Sequence, residues 1–253
     1  MDKRIGAQIY TLHSHLQKQE DLDPTFKKVA DIGYKTIQVS GLGPMPYSFI
    51  KEKADQYNLE IICTHMSMDR YINEIDSVIA DHKTMNCKIA GIGAMPGEYR
   101  ENLDALKKSI NYFNKFSEEL GKEGITFGYH NHGFEFVKLD GKFVMDYIVE
   151  NTDISFIVDT YWFAFAGIDP AAYIKKLGKR AIVVHFKDLK ALPNNTVTMC
   201  EVMEGNLNWD SIIAACEEAG AGYAMVEQDN AAEGDAFASM ALSYKNLTTK
   251  GFI

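Results

Sequence analysis

ISFIVD at residues 154–159 and AIVVHF at residues 181–186 decide the fold class of this chain. Both are continuous apolar, β-branched runs that lack the alternation of a half-buried strand. Such runs are typical of strands in a parallel sheet that is covered on both faces. Each run also carries a polar side chain at its carboxyl end, Asp159 in the first and His185 in the second.

Eight such runs recur along the 253-residue chain, at residues 4–10, 35–40, 59–65, 88–94, 124–130, 154–159, 181–186 and 222–227. The segments between them have helical periodicity. In the helix that contains Phe26, we expect Asp23 to be the N-cap and Pro24 to take the first helical position. In a second helix, we expect Asn208 to cap the beginning and Gly220 to end it. Strand and helix alternate without a linker, which predicts an α/β fold with one (β/α)8 TIM barrel domain over residues 1–253. The rival, an open doubly wound sheet, predicts a glycine-rich phosphate turn, but YTLHSHLQ follows the first strand instead.

Composition excludes several classes of function. The formal net charge is −9, so the basic surface that a nucleic-acid partner needs is not expected. No apolar run approaches the roughly 20 residues that span a bilayer, and no secretory leader is visible, so we expect no membrane partner and a cytoplasmic location. The four cysteines form no CxxC pair and are expected to be buried free thiols.

Polar residues end the predicted strands at the rim where barrel enzymes carry their chemistry. The last four strands end with His130, Asp159, His185 and Glu227. One histidine at a strand end is more often structural than a ligand, but four coordinating residues on successive strands predict a divalent metal site. Two imidazoles and two carboxylates suit Mn, Zn, Co, Fe or Mg.

Other polar and aromatic residues lie in the same predicted rim. In HNHGFEF, Glu135 fits three roles: a substrate contact, a partner for a ligating histidine, or a surface carboxylate. Trp162 could stack on a sugar face or simply pack. His82, in a helical stretch, is expected on the surface.

The chain resembles the xylose-isomerase-like, or sugar phosphate isomerase/epimerase, superfamily of metal-dependent barrels. The resemblance covers nearly the whole chain and is carried by IGAQIYTL, YHNHGFEF, VDTYWFAFAG, VVHFKD, MEGNLNW and MVEQD. It implies metal ligands of the types Glu, Asp, His and Glu on strands five to eight, and Asp159, His185 and Glu227 match. His130 departs, because many relatives read ENH where this chain has His130-Asn131-His132. An epimerase with two metal-bound glutamates is therefore less expected. The superfamily also includes apurinic endonucleases, which bind DNA, and the acidic net charge of this chain disfavours that branch.

The resemblance implies a metal-dependent sugar isomerase or epimerase that acts through an enediolate on a small sugar, keto sugar or cyclitol. A lyase that uses the same metal, such as an inosose dehydratase or an enzyme of 3-keto-sugar β-elimination, is the first alternative, and a non-catalytic sugar-binding barrel is the second. Relatives are often oligomers, so a homo-oligomer is one further expectation. We expect Glu227 to act as the base and His132 or Glu135 as the proton donor. Lys187 is expected either to contact an oxyanion or to form a salt bridge with Asp188 or another carboxylate. The expected substrate contacts are Gln8, Gln38, His65 and Trp162.

Overall fold

A computed structural model describes residues 1–231 and 234–253 of the chain. Eight of the described strands form a closed parallel barrel in which each strand pairs with the next and the last pairs with the first. Two short antiparallel hairpins lie outside the barrel, Lys138–Leu139 with Lys142–Phe143 and Asp188–Ala191 with Val197–Cys200. The barrel strands are β1 (Ile5–Gln8), β2 (Thr36–Val39), β3 (Glu60–Met66), β4 (Ile89–Ile92), β5 (Thr126–His130), β6 (Ser155–Asp159), β7 (Ala181–Phe186) and β8 (Tyr223–Val226). The expected (β/α)8 TIM barrel is confirmed.

Helices surround the barrel and connect its strands. They are α1 (Gln19–Ile32), α2 (Tyr47–Gln56), α3 (Met68–Asn73), α4 (Ile75–Met85), α5 (Leu103–Lys122), α6 (Val144–Asn151), α7 (Thr160–Phe165), α8 (Pro170–Leu177), α9 (Trp209–Ala219) and α10 (Ala236–Thr248). Within the two described ranges, no helix is long and apolar enough to cross a membrane.

An apolar layer fills the barrel interior below the rim. It contains Ile62, Cys63, Ile157, Val183 and Met225. Because side chains on one face of a strand recur every second residue, the residues two positions after three of these share their inward direction. Asp159, His185 and Glu227 stand at those positions, so the apolar layer is the floor beneath them.

The predicted caps of α9 are confirmed, and the predicted cap of α1 is wrong. In α9, the side chain of Asn208 accepts from Ser211 N, and Gly220 ends the helix with a φ of 73°, so both expected caps are confirmed. The prediction that Asp23 caps α1 is wrong, because that helix begins at Gln19 and Pro24 lies inside it. The Asp21 carboxylate accepts from the backbone N–H of Lys18, which closes the first turn earlier in the chain.

Buried sulfur and imidazole groups lie among the apolar residues. All four cysteines are buried free thiols, as expected. The prediction that His82 lies on the surface is wrong. Its ring is buried and bonded through Nε2 to the Thr64 hydroxyl and through Nδ1 to the Val78 carbonyl, at 2.8 and 2.7 Å.

Candidate metal and substrate site

The carboxyl ends of β5 to β8 bring the four predicted metal ligands together. His130, Asp159, His185 and Glu227 are all buried, and each offers a ligand atom that lies within 4.8 Å of the others. His130, Asp159 and His185 lie in β5, β6 and β7, and Glu227 directly follows β8, so the barrel itself sets their spacing.

Hydrogen bonds at the back of both imidazoles determine which ring nitrogen faces the cluster. His130 Nδ1 lies 2.8 Å from the carbonyl oxygen of Gly93, which can only accept, so Nδ1 carries the proton of the neutral ring. His185 Nε2 donates in the same way to Gln38 Oε1 at 2.9 Å. His130 Nε2 and His185 Nδ1 are therefore lone-pair atoms that point into the cluster.

Two carboxylates complete the set of acceptor atoms. Oδ1 of Asp159 accepts the backbone N–H of Trp162 at 3.0 Å, which leaves Oδ2 for the cluster. Oδ2 lies 3.6 Å from His130 Nε2, and Glu227 Oε2 lies 2.9 Å from His185 Nδ1. Among the residues described, His130 Nε2, His185 Nδ1 and Asp159 Oδ2 are buried without a hydrogen-bond partner. Buried lone pairs that face one another are costly unless a cation lies between them. Two imidazole nitrogens and two carboxylate oxygens are a donor set that divalent Mn, Fe, Co and Zn accept.

The pKa shifts agree with a site that favours positive charge. Burial opposes ionisation of Glu227, but the Lys187 ammonium outweighs it and holds the pKa of Glu227 well below its usual value. Burial likewise opposes the charged form of His130, but Asp159 outweighs it and raises the pKa of that ring.

Lys187 supplies an ammonium group inside the site. Its side chain is buried, and Nζ lies 2.8 Å from Asp229, 3.3 Å from Glu227 and 3.5 Å from Asp159. Burial works against the charge, but these carboxylates raise its pKa, so the side chain stays protonated. The expected salt bridge with a nearby carboxylate is therefore present.

The alternative prediction, that Lys187 forms a salt bridge with Asp188, is wrong. The Asp188 carboxylate instead accepts N–H groups of the segment that leads to α9, including Met203 N at 2.8 Å and Trp209 Nε1 at 2.7 Å. Asp188 therefore holds that segment against the barrel and faces away from the lysine.

A cavity of about 350 Å³ opens above the ligand cluster. That volume lies in the range of small-molecule sites. Of the predicted residues outside the ligand set, His65, His132 and Lys187 line it. The residues that complete the lining are Tyr10, Ser40, Met66, Ser67, Gly93, Ala94, His130, Glu227 and Asp229.

Sequence reasoning assigned no role to Asp229, Ser40, Ser67 or Tyr10. A signal for Asp229 was present, because it follows Glu227 by two residues just as Lys187 follows His185. Side chains two residues apart on a strand point the same way. Lys187 and Asp229 therefore continue the line of His185 and Glu227 into the cavity wall.

Three predicted substrate contacts lie outside that lining. Gln8 and Gln38 are buried, with partners inside the protein: Gln8 Oε1 accepts from Tyr10 N, and Gln38 Oε1 from His185. Trp162 is partly exposed, and its ring centroid lies 5.2 Å from that of His132, so it borders the cavity without lining it. The predicted contacts of these three residues with a substrate remain predictions.

Glu135 lies behind the cavity wall. It has no exposed surface, and its carboxylate accepts from the Tyr129 hydroxyl at 2.5 Å and from His132 N at 2.7 Å. The surface-carboxylate alternative for Glu135 is therefore wrong. Burial raises the pKa of Glu135 to about 7. Burial and the neighbouring His130 lower the pKa of His132 to about 3, so that ring is neutral and a poor proton donor.

Comparisons with known proteins give a family match and several structural likenesses. The family profile described as xylose isomerase-like TIM barrel matches residues 26–245. An inosose dehydratase of Mesomycoplasma hyopneumoniae (strain J) is 25% identical over 193 residues, which cover 66% of this chain and 62% of the relative. The match thus spans less than two thirds of the relative's length.

Solved structures resemble the whole barrel. A sugar phosphate isomerase/epimerase from Parabacteroides distasonis superposes with a TM-score of 0.85 at 21% identity, covering 100% of this chain and 98% of its own. The IolI protein with a binding zinc atom superposes with a TM-score of 0.74 at 14% identity, covering 99% of each chain. At these identities the likeness establishes the fold.

Proposed function

The chain belongs to the xylose isomerase-like TIM barrel family, and from that premise we propose that it is a metal-dependent enzyme that enolises a small polyhydroxy ketone and eliminates water from it. The substrate class is a keto sugar or a keto cyclitol. The observation that carries the proposal is the convergence of four buried acceptor atoms, three of them without a partner among the described residues, beside a cavity of small-molecule size.

The metal would be held by His130, Asp159, His185 and Glu227. When bound, a divalent cation polarises a carbonyl group and lowers the pKa of the adjacent C–H. The tautomers of both imidazoles and the orientation of Asp159 suit this role, because each is fixed by a hydrogen bond on the side away from the cluster.

The residues of one cavity wall supply the proton transfers. Glu227 is the candidate base for the C–H proton, as the family resemblance implies. Lys187 Nζ donates a hydrogen bond to an oxygen on which negative charge develops. Asp229 lines the cavity 2.8 Å from Lys187, and burial raises its pKa to about 6. In its protonated form Asp229 gives a departing hydroxyl its proton and is left as the carboxylate that pairs with Lys187. The C–H proton thus moves to Glu227, and the hydroxyl leaves as water from the same side.

His130 argues against epimerisation. Inversion at carbon needs proton transfer on both faces of the substrate, and therefore a second acid or base opposite Glu227. By the family resemblance, His130 stands where relatives carry the second metal-bound glutamate, but its Nδ1 is bonded to Gly93 and its Nε2 points into the ligand cluster. Neither nitrogen is free to move a proton, so chemistry on one face is favoured. The name of the curated relatives, inosose dehydratase, agrees with elimination.

Aldose–ketose isomerisation is a second candidate, because a single base on one face is enough to move a proton between neighbouring carbons. The two reactions share the enolisation step and differ in whether water is lost. Of the isomerase and epimerase reactions that the sequence predicted, this proposal keeps only those in which protons move on one face of the substrate.

The experiment incubates the protein, loaded with manganese or zinc, with inososes and small keto sugars in deuterated water. NMR reports solvent deuterium at the carbon next to the carbonyl, and mass spectrometry reports loss of water. We expect exchange and dehydration with the protein, with Glu227→Gln inactive. Glu52→Gln, on the exposed face of α2, removes a carboxylate far from the cavity and should match the wild type. Exchange without water loss would favour the isomerase, and binding without exchange would favour the sugar-binding barrel.

A further inference from the structure

Gln8, at the end of β1, has an amide whose orientation is fixed. Its Oε1 accepts the backbone N–H of Tyr10 at 3.1 Å. Since a backbone N–H can only donate, the oxygen of the amide must be on that side. The amide nitrogen of Gln8 therefore faces the other way, where it lies 3.5 Å from Nδ1 of His65.

The Gln8 amide determines which nitrogen of His65, on β3, carries the proton of the neutral ring. The amide nitrogen only donates, so Nδ1 of His65 is the acceptor, and the proton of the neutral ring is on Nε2. His65 lines the cavity, and its Nε2 is buried with no hydrogen-bond partner among the residues described. The ring centroids of His130 and His185 lie 4.8 and 5.4 Å from that of His65, so the His65 ring stands beside the ligand cluster.

Two glycines of the neighbouring β4 region make room for the imidazole. A Cβ at Gly91 would lie 2.9 Å from Cδ2 of His65, and one at Gly93 would lie 3.2 Å from its Nδ1. A side chain at Gly93 would therefore press on the His65 ring. Packing against His65 accounts for Gly93, while Gly91 is also confined by Ile157 Cδ1 at 2.5 Å and the Thr64 carbonyl oxygen at 2.6 Å.

We propose that Gln8 fixes the tautomer of His65, so that the ring presents a neutral Nε2–H donor to a carbonyl or hydroxyl oxygen of the substrate beside the metal site. The inference rests on the proposed function for its substrate. His65 is then the residue that contacts substrate, and Gln8 is a positioning residue that acts through it. A neutral donor suits an oxygen that gains negative charge, because it stabilises the charge without transferring its proton first.

The tautomer is tested directly by ¹⁵N NMR of protein labelled at histidine and loaded with zinc, with His65→Gln used to assign the signals. We expect the wild type to show a protonated Nε2 and a bare Nδ1 at His65. In Gln8→Glu the carboxylate can only accept, so the proton should move to Nδ1. A wild-type ring protonated on Nδ1, or an unchanged tautomer in Gln8→Glu, would overturn the proposal.

Kinetics with an inosose as the probe test the donor role. His65→Gln keeps an N–H donor at a similar reach and should lose no more than about tenfold in kcat, whereas His65→Leu should lose roughly 10²–10³-fold. Gln8→Glu should lower kcat more than Gln8→Leu, because it turns an acceptor toward the substrate oxygen. Equal losses in His65→Gln and His65→Leu would overturn the donor role.

The NMR measurement needs no substrate, which separates the two proposals. A protein that shows the expected tautomers but neither binds nor enolises the probe contradicts the proposed function alone. A protein that turns the probe over with a wild-type ring protonated on Nδ1 contradicts the present inference alone.

Discussion

Nδ1 of His185 lies 2.9 Å from Oε2 of Glu227, although the same ring already donates through Nε2 to Gln38. The neutral imidazole has no second proton to share with the carboxylate, so the two atoms face each other as acceptors. Such a pair, fully buried, needs a cation nearby. Lys187 gives part of that charge at 3.3 Å from Glu227, and a divalent metal would give the rest.

Metal binding is therefore expected to stabilise the fold. At a free metal concentration one hundred times the dissociation constant, the gain is about 2.7 kcal/mol. For a chain of this size it should raise the midpoint of thermal unfolding by roughly 5–10 °C. Asp159→Ala should abolish the rise with manganese or zinc, while Glu52→Gln keeps it. Differential scanning calorimetry with and without a chelator measures the effect, and an equal rise in Asp159→Ala would contradict the ligand assignment.

Gln38→Leu should weaken metal binding while leaving the fold intact. Gln38 fixes the tautomer and orientation of His185, and loss of such a supporting bond typically costs 10- to 100-fold in metal affinity. The dissociation constant is measured by competition with a chelator. Gln19→Leu, exposed on α1, is the matched control. An unchanged affinity in Gln38→Leu would show that His185 is oriented by packing alone.

The sequence predicted the barrel and the composition of the ligand cluster because both follow from short-range periodicity. Continuous apolar runs mark strands buried on both faces, and the period of two aligns Ile157 with Asp159 and Met225 with Glu227. His82 could have been placed the same way, since it lies on the helical stripe of Val78 and Met85 that α4 buries.

Hydrogen-bond partners could not be predicted, because they depend on which loops meet over the barrel. Glu135 reads as a rim carboxylate, but the turn after His132 folds it back onto Tyr129. Lys187 and Asp188 are adjacent in sequence and point to different partners, because successive side chains on an extended chain alternate in direction.

Lys187→Met should lower turnover while preserving the metal. The ammonium group lies within 3.5 Å of three carboxylates and is a charged hydrogen-bond donor in the cavity wall. Removal of one such donor typically costs about 10²–10³-fold in kcat. Lys187→Arg should not restore activity, since a planar guanidinium does not fit a buried point-charge site.

Metal content by elemental analysis, measured beside turnover, separates loss of chemistry from loss of the metal in Lys187→Met. Lys179→Met, exposed near the end of α8, is the control and should be active. Full turnover in Lys187→Met would remove the lysine from the mechanism.

We expect the free energy of unfolding to depend on pH through Glu135, and we expect Glu135→Gln to remove that dependence. Burial raises the pKa of Glu135 from 4.5 to about 7 in the folded protein. Between these values the folded state holds a proton that the unfolded state has released, so stability falls as pH rises from about 4.5 to about 7 and the penalty is complete above that. A shift of this size corresponds to about 3 kcal/mol. Urea unfolding of wild type and Glu135→Gln at pH 5 and pH 8, with a chelator present, should show the variant gaining relative to wild type by up to that amount at the higher pH. Glu52→Gln should show no such gain, and a constant difference between wild type and Glu135→Gln would mean that Glu135 is ionised throughout.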